Sequence, residues 1–172
     1  MCIRDSLITL AKGLGGIGIP VAAILYRPEL EVLEPFEHSF TSGGNPLALV
    51  AAVETIKVLT QEGILTNVLS NEVFIKRKLK RIYDRFQCIG DVRGNGYMWG
   101  LEVINETGDP GVRLTNLILE TALTNHNLIL RSSEYGFGNV IKFRPALNTN
   151  QEDLTILLDA LDRSIEDSCR EF

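Results

Sequence analysis

Leu7-Ile-Thr-Leu-Ala-Lys-Gly-Leu-Gly-Gly-Ile-Gly-Ile-Pro20 sets one lysine, Lys12, between an apolar run and a cluster of glycines. A lysine amine attacks an aldehyde only when unprotonated, so a catalytic lysine needs surroundings that lower its pKa, such as a dry pocket or a neighbouring cation. Thr9, Leu10 and Ala11 end a strand-like run, while Gly13, Gly15, Gly16 and Gly18 remove side-chain bulk where a ligand approaches the backbone. The stretch suits Schiff-base chemistry at Lys12, against the ordinary alternative of a solvated surface charge.

Working outward, residues 7–11 and 19–26 read as two apolar strands buried on both faces, with the glycine turn and Lys12 between them. Pro28 to Pro35 is a short connector. In His38-Ser-Phe-Thr-Ser-Gly-Gly-Asn-Pro46, Asn45 suits a helix N-cap and Pro46 the first helical position. The helix that starts there, Leu47-Ala-Leu-Val-Ala-Ala-Val53, is apolar nearly all round and so predicts burial between two layers. Gly63 interrupts it.

From Ile64 to Phe86 a second helix carries Ile75, Leu79, Ile82 and Phe86 on one face and the basic run Lys76-Arg-Lys-Leu-Lys-Arg81 on the other. Arg85 to Gly96 reads as a connection, Gly94-Asn-Gly96 as a tight turn, and Tyr97-Met-Trp-Gly-Leu-Glu-Val103 as a strand. A polar loop from Asn105 to Gly111 precedes a helix with Leu114, Leu117, Ile118 and Ala122 on one face. Leu128-Ile-Leu130 and Val140-Ile-Lys-Phe143 read as short strands. Asn150 with Asp153 resembles a capping box ahead of a last helix bearing Leu154, Leu157, Leu158, Leu161 and Ile165. From about residue 62 onward the pattern is an α+β module.

The chain has 172 residues, 45% apolar and 23% charged, enough for one globular core or pieces of two. Its net charge of −5 argues against a general nucleic-acid footprint, so the basic run at 76–81 reads as a solvated helix face. Three cysteines, Cys2, Cys88 and Cys169, lie far apart without metal-ligand spacing, which predicts free thiols, no metal site and a reducing compartment. No apolar run is long enough to span a bilayer, and Met1 to Ser6 lacks the apolar middle of a signal peptide; a soluble cytoplasmic protein is expected. Gly13-Leu-Gly-Gly-Ile-Gly18 matches the dinucleotide pattern literally, but β-like Ile19-Pro-Val-Ala-Ala-Ile-Leu25 follows where that site needs a helix.

The Lys12 stretch together with His38-Ser-Phe-Thr-Ser-Gly-Gly-Asn-Pro-Leu47 resembles the class III, or ω-amino, aminotransferases of the fold type I pyridoxal 5'-phosphate enzymes. Cys88-Ile-Gly-Asp-Val-Arg-Gly-Asn-Gly-Tyr-Met-Trp-Gly-Leu-Glu102 and Ile141-Lys-Phe-Arg-Pro-Ala-Leu147 are similar to further parts of that family, and the resemblance runs in order from residue 7 to about 167. Gly16 to Glu29 is also similar to the diaminobutyrate and ectoine-pathway transaminases of the class.

The resemblance implies an α/β fold. Residues 1–61 would be the end of the large cofactor domain, and residues 62–172 a complete small α+β domain. It implies that Lys12 bonds pyridoxal 5'-phosphate and then moves the substrate proton. Thr41 would reach the cofactor phosphate of a neighbouring subunit, which implies a homodimer. Taken alone, Thr41 is a turn residue. His38 matches a family position, although bonding the loop backbone is its plainer role. His126, near a helix end, has no functional case.

At Lys142 many members carry an arginine that binds a substrate carboxylate through two parallel hydrogen bonds, a fork that lysine cannot make. Arg144 lies two residues on, and since positions two apart in a strand share a face, Arg144 is expected to take over the carboxylate; the alternative is a surface arginine at the sheet edge. The implied reaction moves an amino group from an ω-amino donor such as 4-aminobutyrate, ornithine or diaminobutyrate to a 2-oxo acid. Decarboxylases, racemases and lyases of the same family remain open, as does a non-catalytic interaction module. In the family, the ring-nitrogen carboxylate, the ring-stacking face and the phosphate cup precede the lysine, yet only eleven residues do so here. The expectation is a C-terminal fragment, inactive alone, whose leading strands and helix from Pro46 expose apolar surface.

Overall fold

The computed structural model describes residues 6–16, 18–34 and 36–172. Cys2, Ile17 and Pro35, which figure in the expected free thiol, glycine stretch and connector, lie outside the described residues. The chain divides into two compact units, Met1–Gly63 and Ile64–Phe172.

In the first unit, β1 (Leu7–Leu10) pairs antiparallel with β2 (Ala23–Tyr26), Leu7 opposite Tyr26 and Leu10 opposite Ala23. The second strand is shorter than the expected 19–26, consistent with Pro20, which has no N–H to give to a ladder. The Lys12–Gly15 segment forms a 3-10 turn between the strands, and α1 (Pro46–Gln61) packs against it. Asn45 caps α1 as its position suggests: its Oδ1 accepts from the backbone N–H of Leu47 at 2.9 Å and of Ala48 at 3.3 Å.

Burial on both faces is not what these elements show. Leu7, Leu10, Ile24, Leu25 and Tyr26 are exposed, and α1 buries only Ala48 and Ala52 while Leu47, Leu49, Val50 and Val53 face solvent. A two-stranded ribbon and one helix hold too few layers to cover two sheet faces and a whole helix circumference. The surface left open is the apolar exposure expected of these segments.

The second unit closes a core of its own. It runs α2 (Ile64–Arg85), β3 (Ile89–Asn95), β4 (Met98–Val103), α3 (Val112–His126), β5 (Arg131–Ser132), β6 (Val140–Phe143) and α4 (Gln151–Glu171). The sheet order is β3-β4-β6-β5, every pair antiparallel. One sheet face presents Trp99, Leu101, Val103, Ile141 and Phe143, which join Ile75, Leu79 and Ile82 of α2, Leu114 and Ile118 of α3, and Leu154, Leu158, Leu161 and Ile165 of α4 in one buried cluster. Where α3 meets α4 the apolar seam also includes small hydroxyls. Ser168 Oγ donates to the Ser164 carbonyl at 2.8 Å and lies 3.2 Å from Thr121 Oγ1.

Two sequence expectations need correction. Ile89–Asn95 is a strand, not a connection; its glycines and charged residues hide the alternation, and its place comes from a hairpin with β4. The strand expected at Leu128–Leu130 forms instead at Arg131–Ser132, because Asn127 in the left-handed conformation ends α3 and the apolar residues after it lead away from the helix cap. The basic run of α2 is partly engaged: Lys78 Nζ lies 2.8 Å from Asp159 of α4 and Lys80 pairs with Asp84, while Arg85 just beyond meets Asp162 and Glu166 at 2.6 Å each.

The β3–β4 hairpin turns through Gly96 and Tyr97, with Gly96 at φ 53°. Gly94 is fixed by space: a Cβ there would stand 2.3 Å from the Met98 carbonyl oxygen and 2.7 Å from Trp99 Cα. Tyr97, 3% exposed, donates its hydroxyl to the Thr149 carbonyl at 2.8 Å and accepts from Asn71 Nδ2 at 3.0 Å. Asn67 Nδ2 reaches the carbonyls of Leu147 and Thr149 at 3.0 Å each, so the network ties α2, the hairpin and the approach to α4 together.

Tyr97→Phe removes one hydrogen-bond partner each from the Asn71 amide and the Thr149 carbonyl, both of which keep Asn67, and is expected to lower unfolding stability by about 0.5–1.5 kcal/mol, read as a lower urea midpoint at unchanged slope. Gly94→Ala drives a methyl into hairpin backbone and is expected to cost about 3 kcal/mol or more, with loss of the Trp99 near-UV signal at lower urea than in the parent.

Candidate active site

Lys12 opens the turn that follows β1. Its backbone has φ 55°, a left-handed conformation in which a residue with a Cβ is strained by about 1 kcal/mol or more. Ala11 before it is extended, and the turn is closed by Gly16 N–H donating to the Gly13 carbonyl at 3.1 Å. Two glycines make this path possible. Gly15 is buried, and a Cβ on it would stand 2.8 Å from Val21 Cγ1. Gly16 has φ 66° and lies against α1, where an added Cβ would meet Thr55 Oγ1 at 3.4 Å.

Lys12, Pro20, Val21 and Ala22 line an open depression of about 410 Å³. Three of the four are apolar, so one wall can lie against a flat, largely apolar molecule while the amine addresses its edge. The lysine itself is exposed. The dry pocket that a reactive amine needs is therefore not completed by the residues around it; they supply one wall and the strained backbone that aims the side chain.

Thr41 begins the turn Thr41–Gly44 and is exposed. Gly43 N–H donates to the Phe40 carbonyl at 3.0 Å, and a Cβ on Gly43 would meet the Phe40 ring at 3.0 Å, so the ring folds over the glycine. Gly44 has φ 67°. The Thr41 hydroxyl has no hydrogen-bond partner among the described residues, which leaves it available to an outside acceptor. His38 does not bond the loop backbone among those residues; its ring lies tilted against Phe40 at 5.9 Å. Lys12 and Thr41 share neither a hydrogen bond nor the depression.

In the second unit, Lys142 sits in the middle of β6, opposite Gly100 of β4 on one side and Arg131 of β5 on the other. Directly opposed residues of antiparallel strands project from the same face. Arg93, opposite Gly100, joins the same row. The order across the sheet is Arg93, Gly100, Lys142, Arg131, on the face away from the core.

These cations differ in their company. Arg93 lies 2.6 Å from Glu102 and 2.7 Å from Asp91, and these carboxylates, Glu102 foremost, raise its pKa above the usual arginine value. Lys142 and Arg131 have no ion-pair partner among the described residues. Two like charges directly opposed destabilise a sheet unless an anion lies between them. Arg144 is exposed and falls one residue past the end of β6, so the rule that residues two apart share a strand face stops short of it.

Arg131 is the residue that the sequence does not mark. Its position follows from the β5–β6 register, and the apolar run Leu128-Ile-Leu130 draws attention to the segment before it. His126 has a structural place, its Nε2 2.9 Å from Asp167 of α4. Among the described residues no group of three acidic, histidine or cysteine side chains could hold a metal, and no helix is long and apolar enough to cross a membrane.

Known proteins bear on these features. The family model for class-III aminotransferases matches residues 3–165. The chain is 34% identical over 167 residues to an alanine/serine racemase of Pyrococcus horikoshii, covering 96% of this chain and 34% of that protein. It is 32% identical over 160 residues to an acetylornithine aminotransferase of Oceanobacillus iheyensis, covering 92% of this chain and 37% of that protein. A solved aminotransferase from Vibrio fluvialis in its PMP-bound form superposes with a TM-score of 0.84 at 26% identity, covering 96% of this chain and 38% of that one. The chain thus spans little more than a third of the length of the proteins it matches. With a match over nearly its whole length, the chain belongs to the class-III aminotransferase family.

Proposed function

We propose that the chain carries the reactive lysine and the carboxylate-binding face of a pyridoxal 5'-phosphate-dependent aminotransferase, which moves an amino group from an ω-amino donor to a 2-oxo acid. Donors of the 4-aminobutyrate, ornithine or diaminobutyrate kind and acceptors such as 2-oxoglutarate or pyruvate fit this reading. The observation that carries it is Lys12, a non-glycine residue held left-handed at the mouth of an apolar depression in a chain of this family.

The residues present fit the cofactor in part. An amine and an apolar wall of Pro20, Val21 and Ala22 suit an aromatic aldehyde, and the free hydroxyl of Thr41 suits a phosphate oxygen. When bound, pyridoxal 5'-phosphate supplies an aldehyde carbon and an electron-withdrawing ring. Lys12 Nζ would be the residue that holds the cofactor, and its amine would take and return the proton at the substrate carbon. Thr41 serves the site of a second copy of the protein, which makes the active form a homodimer.

The substrate carboxylate goes to the row on the sheet. Lys142 offers a point charge, and a guanidinium beside it supplies the planar fork that lysine lacks. Arg131 and Arg144 are the two candidates. Register favours Arg131, which stands directly opposite Lys142.

A racemase reading has a specific support: the relative at 34% identity is named an alanine/serine racemase, and Lys142 replaces the family arginine. The two separate by product. A transferase releases a 2-oxo acid from the donor only in step with amination of the acceptor, whereas a racemase inverts one amino acid without an acceptor.

In the whole protein, Lys12→Ala is expected to slow amino transfer by about 10²–10⁴-fold or more. It should also remove the label that borohydride fixes at residue 12 in the parent. Unchanged turnover or labelling elsewhere would defeat the assignment. Arg131→Gln is expected to raise KM for carboxylate substrates by about ten- to a hundredfold, the loss of one charged hydrogen-bonding partner, while Arg144→Gln leaves it within about twofold. The opposite ranking would move the fork to Arg144.

A further inference from the structure

Two of the three cysteines come together although 81 positions separate them. Cys88 lies between α2 and β3, and Cys169 in the last turn of α4, with their sulfurs 3.1 Å apart. A shortening of about 1 Å would reach the length of a disulfide bond, ~2.05 Å. Cys169 is exposed and Cys88 half-buried, so one sulfur is open to an incoming molecule and the other waits behind it.

The surroundings hold both in place. The Cys88 carbonyl accepts from Ile104 N–H at 2.8 Å, which fixes it to the sheet edge, and Phe172 N–H donates to the Ser168 carbonyl at 3.1 Å beside Cys169. The hydrogen bond from Cys88 draws the Cys169 pKa down to about 7 against the opposing effect of burial. The same contact, followed by burial, raises that of Cys88. The exposed member is thus the better nucleophile and the covered member the one that acts second.

We propose that Cys88 and Cys169 form a thiol-exchange site for small-molecule disulfides of the glutathione type and close into a reversible intrachain disulfide. The Cys169 thiolate attacks one sulfur of the small disulfide, whose S–S bond breaks and releases one thiolate. Cys88 gives up its proton and attacks the Cys169 sulfur of the mixed disulfide, releasing the second. Two protein thiols are oxidised by two electrons, the small disulfide is reduced to two thiols, and the protons pass to the departing sulfurs. The bond staples the end of α4 to the α2–β3 junction, closing a loop that contains β3 to β6, α3 and most of α4, and so stabilises the second unit.

The test uses the full chain with Cys2→Ser, treated with oxidised glutathione and mapped by mass spectrometry after alkylation. The expected product has lost two hydrogens, contains a linked Cys88–Cys169 peptide and carries no glutathione. Its thermal midpoint rises by several degrees and returns on treatment with dithiothreitol. Cys88→Ser, which removes the second step, should instead hold glutathione on Cys169. In urea the linkage should slow by at least tenfold, because the fold no longer holds the sulfurs together. Glutathione persisting on the parent, absence of the linked peptide, an unchanged midpoint, or linkage equally fast in urea would overturn the proposal.

Discussion

The structure depends on the commitment of one face of β4 to the core. Trp99, Leu101 and Val103 go under the helices, so Gly100 and Glu102 must go to the other side. Ile141 and Phe143 impose the same choice on β6 and turn Lys142 outward. The row Arg93, Gly100, Lys142, Arg131 is therefore a by-product of packing on the opposite face. A slip of one residue in β6 would bury a lysine, which makes hydrophobic burial the device that keeps the cations in register.

Within that row, acidic neighbours decide which cations are spoken for. Asp91 and Glu102 occupy Arg93, at the β3 side of the sheet, and among the described residues no acid does the same for Lys142 and Arg131. The sheet face therefore neutralises one cation and leaves an adjacent pair without an acidic neighbour among the described residues. The lysine end of the chain has a parallel character. Strain at Lys12, on a path that Gly15 and Gly16 permit, is unhelpful to folding, and such departures from local consistency tend to mark working parts.

Much of this was legible from residues alone, for physical reasons that differ by element. The Asn45 cap, the Gly63 break and the apolar faces of α2, α3 and α4 announce themselves because helix periodicity and capping are local. β3 did not, since Ile89-Gly-Asp-Val-Arg-Gly-Asn95 owes its conformation to pairing with β4 rather than to its own pattern. Arg131 and the Cys88–Cys169 approach were invisible for a related reason: both depend on partners that meet only after the chain has folded. The exposure of β1, β2 and α1 was half legible. Their apolar pattern marks surfaces that call for cover, while how much cover they receive depends on the number of layers present.

That last feature governs how the molecule behaves in a test tube. Leu47, Leu49, Val50, Val53, Ile56 and Val58 leave much of the circumference of α1 oily and exposed, in the same unit as a two-stranded ribbon. Surfaces of this kind adhere to each other and to chaperones. Preparations of the chain on its own should accordingly turn cloudy with rising concentration and bind hydrophobic dyes while residues 64–172 remain folded. Early self-association would therefore trace to the first sixty residues rather than to any weakness in the second unit.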